Sequence, residues 1–254
     1  MGFIMKHFFL LTGLLLAGFC GPLNAAVHLS NDGIGQVAIV PFYSVANGLE
    51  THLKVINTSD QYKAVRVNVR TADLSAHPVY SLNVYLSPRD TWRLAMGQRN
   101  DFIGAMNADK TCVLGLEDPA TQSVDWSEYI WDTGFIEVIE MGEIDSDLLG
   151  FVTNEDPTKV CQDYTDSWDR SSIIGYWGYD SDRGILPAKG GLSVTSEIIN
   201  VADGYSFNIP TTTFKNFYET GGKLHTQAGS DEPNLNSGTR YSRLIHKGEV
   251  VNTT

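Results

Sequence analysis

The sequence predicts a mainly β protein, an antiparallel β-sandwich (immunoglobulin-like or jelly-roll-like) with a long acidic, loop-rich insertion at about 143–189 and one or two short helices. In KAVRVNVR, Val65, Val67 and Val69 alternate with Arg66, Asn68 and Arg70, a period of two that puts the valines on one face and the polar groups on the other. Short β-branched runs recur between turn clusters at sandwich spacing, and a lone sheet of this size must bury its apolar face against something. The acidic excess is confined to the middle third: residues 101–190 carry nineteen Asp or Glu against five Lys or Arg, whereas 27–100 carry five against seven and 191–254 carry six against five.

The first 26 residues read as a secretory signal peptide. Lys6 and His7 are followed by the apolar run FFLLTGLLLAGF and by CGPLNAA, whose small residues place cleavage near Ala25 or Ala26. The apolar run is 12 residues long, whereas a helix that crosses a bilayer needs about 20. Phe19 is too bulky for the position before a lipidated Cys20. Residues 27–254 then form a single β-sandwich domain with no transmembrane segment, exported to the periplasm, the cell surface or the exterior. Loss of Lys6 moves the net charge from −12 to −13. No segment offers the basic surface that phosphate neutralisation needs, which argues against nucleic acid as a partner.

Export leaves Cys112 and Cys161 in an oxidising compartment, where a disulfide between them is expected. Such a bond closes a loop of roughly 50 residues, worth about 4 kcal/mol on the chain-entropy account. Two buried free thiols are the alternative.

From the start of this domain, GIGQVA formally fits G-x-G-x-x-A, but no strand precedes it, and QVAIV followed by Pro41 is a strand rather than a helix. It reads as a turn leading into an edge strand. HLKVIN and KAVRVNVR flank the turn cluster NTSDQ and read as a hairpin with one wet face. YSLNVYL and TWRLAM add strands on either side of the SPRD turn, and the stretch from Gly97 to Asp132 reads mostly as loop. In GFIEVIEM apolar groups serve both faces, as in a central strand, and Glu137 and Glu140 fall on opposite faces. Within the insertion, Asp156 as N-cap and Pro157 at the first position open a helix that puts Val160, Cys161, Tyr164 and Trp168 on one side and Asp163, Asp166 and Asp169 on the other. Asp203-Gly204 marks a hairpin after which Tyr205, Phe207 and Ile209 alternate inward. TTTFKNFYETGG reads as one or two helical turns with Thr213 as cap, Phe214, Phe217 and Tyr218 on one side and Gly221 as stop. The tail, GSDEPNLNSGTRYSRLIHKGEVVNTT, reads as loop with room for one last strand.

Few residues suggest chemistry. There is no G-x-S-x-G or H-E-x-x-H, and His28, His52, His77, His225 and His246 are scattered, so no catalytic residue is assigned. Asp180 and Asp182 before Gly184 offer a hard cation such as calcium two carboxylates, and Asp145 with Asp147 a second pair. Arg183 and Gly191 stand where an EF-hand needs ligands, so the alternative is a solvated acidic loop, with no cofactor. The middle region also holds Trp126, Trp131, Trp168 and Trp177 with Tyr129, Tyr176 and Tyr179. Aromatic faces beside carboxylates suit sugar, with Trp177, Tyr176 and Tyr179 as binding residues, and Glu128, Glu137 or Glu140 could serve glycoside hydrolysis. The competing reading is that these rings fill the core of an insertion poor in aliphatic residues.

GIGQVAIVPFYS, VINTSDQYKAVRV, LNVYLSPRDTW, GFIEVIEMGEI and GGLSVTSEIINVADGYSF, in that order, resemble a family of secreted bacterial proteins of unknown function. The likeness covers most of the chain after residue 26 and implies a β-rich exported protein, with no catalytic residues to carry over. The function expected is a non-catalytic structural or interaction protein of the cell envelope or exterior with a protein or glycan partner; the alternative is a carbohydrate-binding or carbohydrate-active protein using the acidic, aromatic middle.

Overall fold

A computed structural model describes residues 27–72, 78–99, 102–107, 110–116, 123–125, 132–173, 175–218, 223–239, 242–246 and 249–253. The signal segment, Trp126, Glu128, Tyr129, Trp131 and Gly221 lie outside them. In chain order the strands are β1 (His28–Leu29), β2 (Ile34–Gly35), β3 (Val37–Ser44), β4 (Leu49–Asn57), β5 (Tyr62–Thr71), β6 (Pro78–Leu86), β7 (Thr91–Arg99), β8 (Phe102–Asn107) and β9 (Cys112–Leu114). They continue with β10 (Ser123–Asp125), β11 (Thr133–Ile144), β12 (Ile185–Leu186), β13 (Leu192–Asn200), β14 (Tyr205–Ile209), β15 (Thr212–Lys215), β16 (Ser242–His246) and β17 (Glu249–Thr253). Among the described residues one α-helix, α1 (Pro157–Trp168), precedes β12.

All strand pairs among the described residues are antiparallel. The first sheet runs β1-β15-β3-β11-β5-β6-β9 with β12 added beside β11, the second runs β10-β8-β7-β4-β13-β14 with β2 beside β13, and β16 pairs with β17 in a separate two-stranded sheet. Leu53 and Val55 from β4, Val65, Val67 and Val69 from β5, Trp92 and Leu94 from β7, and Ile136 and Val138 from β11 share one core. The chain is therefore a mainly β, two-sheet protein of the sandwich class.

Five local readings change. HLKVIN and KAVRVNVR are not a hairpin: β4 pairs with β7 and β13, β5 with β6 and β11, and the 58–61 turn arches from one sheet to the other. Both strands alternate, so the arch lets their apolar faces meet across the core. Buried Asn57 fixes it, donating through Nδ2 to Gln61 O at 2.7 Å and Ser87 O at 2.8 Å while Oδ1 accepts from Ser59 N. β3 is interior rather than an edge, lying between β15 and β11. It tolerates Pro41 because β15 pairs only as far as Ile39, and the β11 register shifts between Gly134, opposite Tyr43, and Ile136, opposite Val40. Thr212–Lys215 is a strand, not a helix: its β-branched residues pair with Val37–Ile39. β14 is an edge strand, and Tyr205 and Phe207 are about half exposed, leaving only Ile209 turned into the core. The stretch read as loop after Gly97 instead continues the second sheet through β8 and β10.

GFIEVIEM is central, as expected, lying between β3 and β5. α1 opens where predicted: Asp156 Oδ1 accepts from Thr158 N at 3.0 Å and Pro157 occupies the first turn.

The face of β5 expected to be wet is covered. Arg66 and Asn68 are fully buried and Arg70 nearly so. Over them runs the 223–233 segment, whose carbonyls take the Arg66 guanidinium: Nη1 donates to Ser230 O at 3.0 Å, and Nη2 to Gln227 O at 2.8 Å and Thr226 O at 3.1 Å. Asn68 Nδ2 donates to Pro233 O and Glu137 Oε2, both at 2.9 Å. Polar residues on this face thus bind a covering layer of backbone, which would otherwise be buried with unpaired carbonyls.

Candidate functional site

The acidic insertion packs on the same face of the first sheet and has its own core. Tyr85, Met141, Tyr164, Trp177, Cys112 and Ile185 are among its buried members. The Cys112–Cys161 disulfide, 2.02 Å between sulfurs with Cα atoms 5.1 Å apart, ties α1 to β9. Tyr85 and Tyr164 stack with ring centroids 4.0 Å apart, and Trp177 lies 5.7 Å from Tyr85 at an interplanar angle of 11°. Of the expected sugar-binding trio, Trp177 is therefore a core residue, 2 % exposed, its indole N–H donating to Arg183 O at 2.9 Å. Tyr176 is half-buried with the Arg183 guanidinium 5.1 Å above its ring, and Tyr179 is exposed with Arg170 at 5.3 Å. The three do not form one face: an insertion short of aliphatic residues spends its largest ring on packing.

His225 reaches into this core from the 223–233 segment and is buried. Nδ1 lies 2.6 Å from Ser181 O, which can only accept, so Nδ1 carries the proton and Nε2 accepts from Tyr85 Oη at 3.2 Å. Tyr85 Oη in turn accepts from Trp168 Nε1 at 3.1 Å. Burial pushes the imidazole down to about 4, outweighing the Ser181 hydrogen bond, so His225 is neutral at pH 7. It is a satisfied link in a buried chain rather than a free base.

The Asp180 carboxylate is used locally: its Oδ1 accepts from Asp182 N at 3.2 Å. Asp145 Oδ1 likewise accepts from Asp147 N at 3.1 Å and Leu148 N at 3.2 Å. These are turns built from side-chain oxygen and backbone N–H. Among the described residues no group of three His, Cys, Asp or Glu side chains converges on one point.

Glu137 and Glu140 take opposite faces of β11, as the strand period requires. Glu137 Oε2 lies 2.9 Å from Arg70 Nε beneath the covering segment. Glu140 belongs to a cluster that residue type and spacing did not bring forward. Lys63 Nζ lies 2.6 Å from Glu140 Oε1 and 3.3 Å from Glu143 Oε1; the Lys63 and Glu140 side chains are fully buried, and Lys189 Nζ sits 3.0 Å from Glu143 Oε2 at the rim. Gly190 N donates to Glu140 Oε2 at 2.6 Å and Lys189 N to Oε1 at 3.3 Å. Gly190 and Gly191 have φ of +86° and +101°, a left-handed pair that lets the backbone close over the carboxyl and that side-chain-bearing residues resist. Desolvation pushes Glu140 up to about 7 against the pull of Lys63. The available signal was Lys63 itself, which continues the parity of Val65, Val67 and Val69: a charge on the apolar face implies a buried partner.

Relief on the described surface lies on both flanks of α1. One cleft, about 500 Å³, runs past Tyr62, Arg89, Lys110 and Glu155. The other, about 890 Å³, is bounded by Thr158, Gln162, Thr165, Trp168, Asp169 and Gln227. No family model, curated protein or solved structure matches the chain.

Proposed function

We propose that the protein is an exported, non-catalytic structural or interaction module of the bacterial cell envelope or exterior, and that it meets a protein or glycan partner through α1 and its flanking clefts. One observation carries the reading: groups suited to acid–base work are bound into the scaffold, while the exposed side of α1 stands between two clefts on a disulfide-pinned platform. The disulfide supports export, as does the resemblance to secreted bacterial proteins. No helix of the described residues is long and apolar enough to cross a membrane. The test compares the wild type with Thr158→Arg/Thr165→Arg, two exposed positions on the larger cleft. Binding to native envelope fractions should fall while the thermal melt is unchanged; unaltered binding by a folded variant rejects the surface, and polysaccharide turnover by the wild type rejects the non-catalytic reading. N-terminal sequencing of protein from periplasm and medium tests cleavage near Ala25 or Ala26.

A second reading, carbohydrate binding, is favoured by Trp168, a half-buried indole beside Gln162, Asp169 and Gln227 in the larger cleft. A glycan array decides it: a hit abolished by Trp168→Ala supports it, and a clean negative removes it.

A further inference from the structure

A fully buried lysine between two glutamates is costly to retain as an ion pair, because desolvation of both charges offsets much of their attraction. The surroundings of Lys63 contain more than a counter-ion. Its Nζ approaches Glu140 Oε1 at 2.6 Å, which places the carboxyl carbon one bond beyond the contact. Gly190 N donates to Glu140 Oε2 at 2.6 Å, the donor that an oxyanion on that oxygen needs, and Lys189 N donates to Oε1 at 3.3 Å. A second carboxylate, Glu143, lies 3.3 Å from the same Nζ, within reach of a proton leaving the amine. β5 and β11 are adjacent strands with Lys63 opposite Glu143, so the nucleophile and the group that carries its proton are held by the ladder itself.

We propose that Lys63 and Glu140 become joined by an amide between Nζ and the side-chain carbonyl carbon, a second covalent tie in addition to the disulfide. Proton transfer within the pair gives a neutral amine and a neutral carboxylic acid. The amine lone pair attacks the carbonyl carbon; the oxyanion forms on Oε2, held by Gly190 N, and Oε1 is the oxygen that leaves as hydroxyl. Glu143 takes a proton from the nitrogen and delivers it to the departing hydroxyl. One N–C bond forms, one C–O bond breaks, and one water leaves; no oxidant or cofactor is consumed. Glu140 is suited to the acceptor role because burial holds its carboxyl partly protonated near neutral pH, with a folded value of about 7. Glu143 carries the proton and does not enter the product.

Intact mass spectrometry of the reduced, mature wild type decides the matter. The chain should be one water lighter than its sequence requires, trypsin should fail to cut after Lys63, and fragmentation should give a branched peptide linking Lys63 to Glu140. Lys63→Met should restore the full sequence mass. Glu143→Gln, if folded by circular dichroism, should do so too while leaving Lys63 present. A wild-type mass equal to that of the sequence, with separate peptides ending at Lys63, overturns the proposal whether or not either variant folds. A branch ending on Glu143 overturns the assignment of roles.

Discussion

Acidification from pH 7 to pH 4 should destabilise the native protein through His225. Its imidazole is buried, with Nδ1 committed to Ser181 O and Nε2 to Tyr85 Oη, so a second proton would have to displace the Tyr85 hydrogen bond and charge a dry site. The folded value is about 4 against 6.5 for the free side chain. The unfolded chain therefore binds this proton first as pH falls, and the native advantage is complete above 6.5 and is lost between 6.5 and about 4. At about 1.4 kcal/mol per pH unit, the loss is about 3 kcal/mol. Glu140, while its carboxyl is free, contributes the opposite slope: its folded value is raised from 4.5 to about 7, so its contribution is complete below 4.5 and is lost as pH rises to about 7. In a chain whose Glu140 carboxyl is free, the curve alone would show the two slopes cancelling. The assay is urea unfolding at pH 4, 5, 6 and 7 of the wild type and of His225→Asn, which keeps an amide donor for Ser181 O and does not titrate. The difference in unfolding free energy between them should shrink by about 3 kcal/mol on acidification, since Glu140 is common to both. Parallel curves would refute the neutral, enclosed imidazole.

Replacing both Cys112 and Cys161 with serine should cost about 4 kcal/mol by the chain-entropy account for the sequence separation of 49, read as a lower denaturant midpoint, and an unmoved midpoint would deny the bond a role. Arg66→Met should cost about 3 kcal/mol and strip hydrogen-exchange protection selectively from 223–233, because Thr226, Gln227 and Ser230 lose a charged donor; protection that persists there would show that the segment holds without it. Trp177→Ala should cost about 4 kcal/mol by opening a cavity in the insertion core, whereas Tyr179→Ala should stay within about 0.5 kcal/mol by thermal melt, and the reverse order would place the rings the other way round.

Much of the framework was legible because it is locally encoded. Period two in KAVRVNVR, apolar groups on both faces of GFIEVIEM, and Asp156-Pro157 before a helical stripe each specify an element without reference to distant chain. The misreadings share one cause. β4 and β5 look like a hairpin because the turn between them is short, and a short turn can equally arch between sheets; what decides is where each apolar face is buried. Thr212–Lys215 looks helical from its aromatic spacing, but Val37–Ile39 offered β3 as a strand partner. Trp177 beside carboxylates looks like a sugar platform until Tyr85 and Tyr164 stack against it.

The sequence by itself determined the β class, α1 with its cap, and the faces on which the valines of β5 and the two glutamates of β11 lie. Only the tertiary structure decided what covers those faces. Arg66 meets Thr226 across 160 residues of chain and Lys63 meets Glu140 across 77, so no local pattern could show that a polar stripe is roofed by backbone or that a lysine on the valine face has a carboxyl to meet. Periodicity fixes the direction in which a side chain points, because it follows from backbone geometry. Whether that direction leads to water, to a partner charge or to a sealed site depends on packing between segments far apart in sequence.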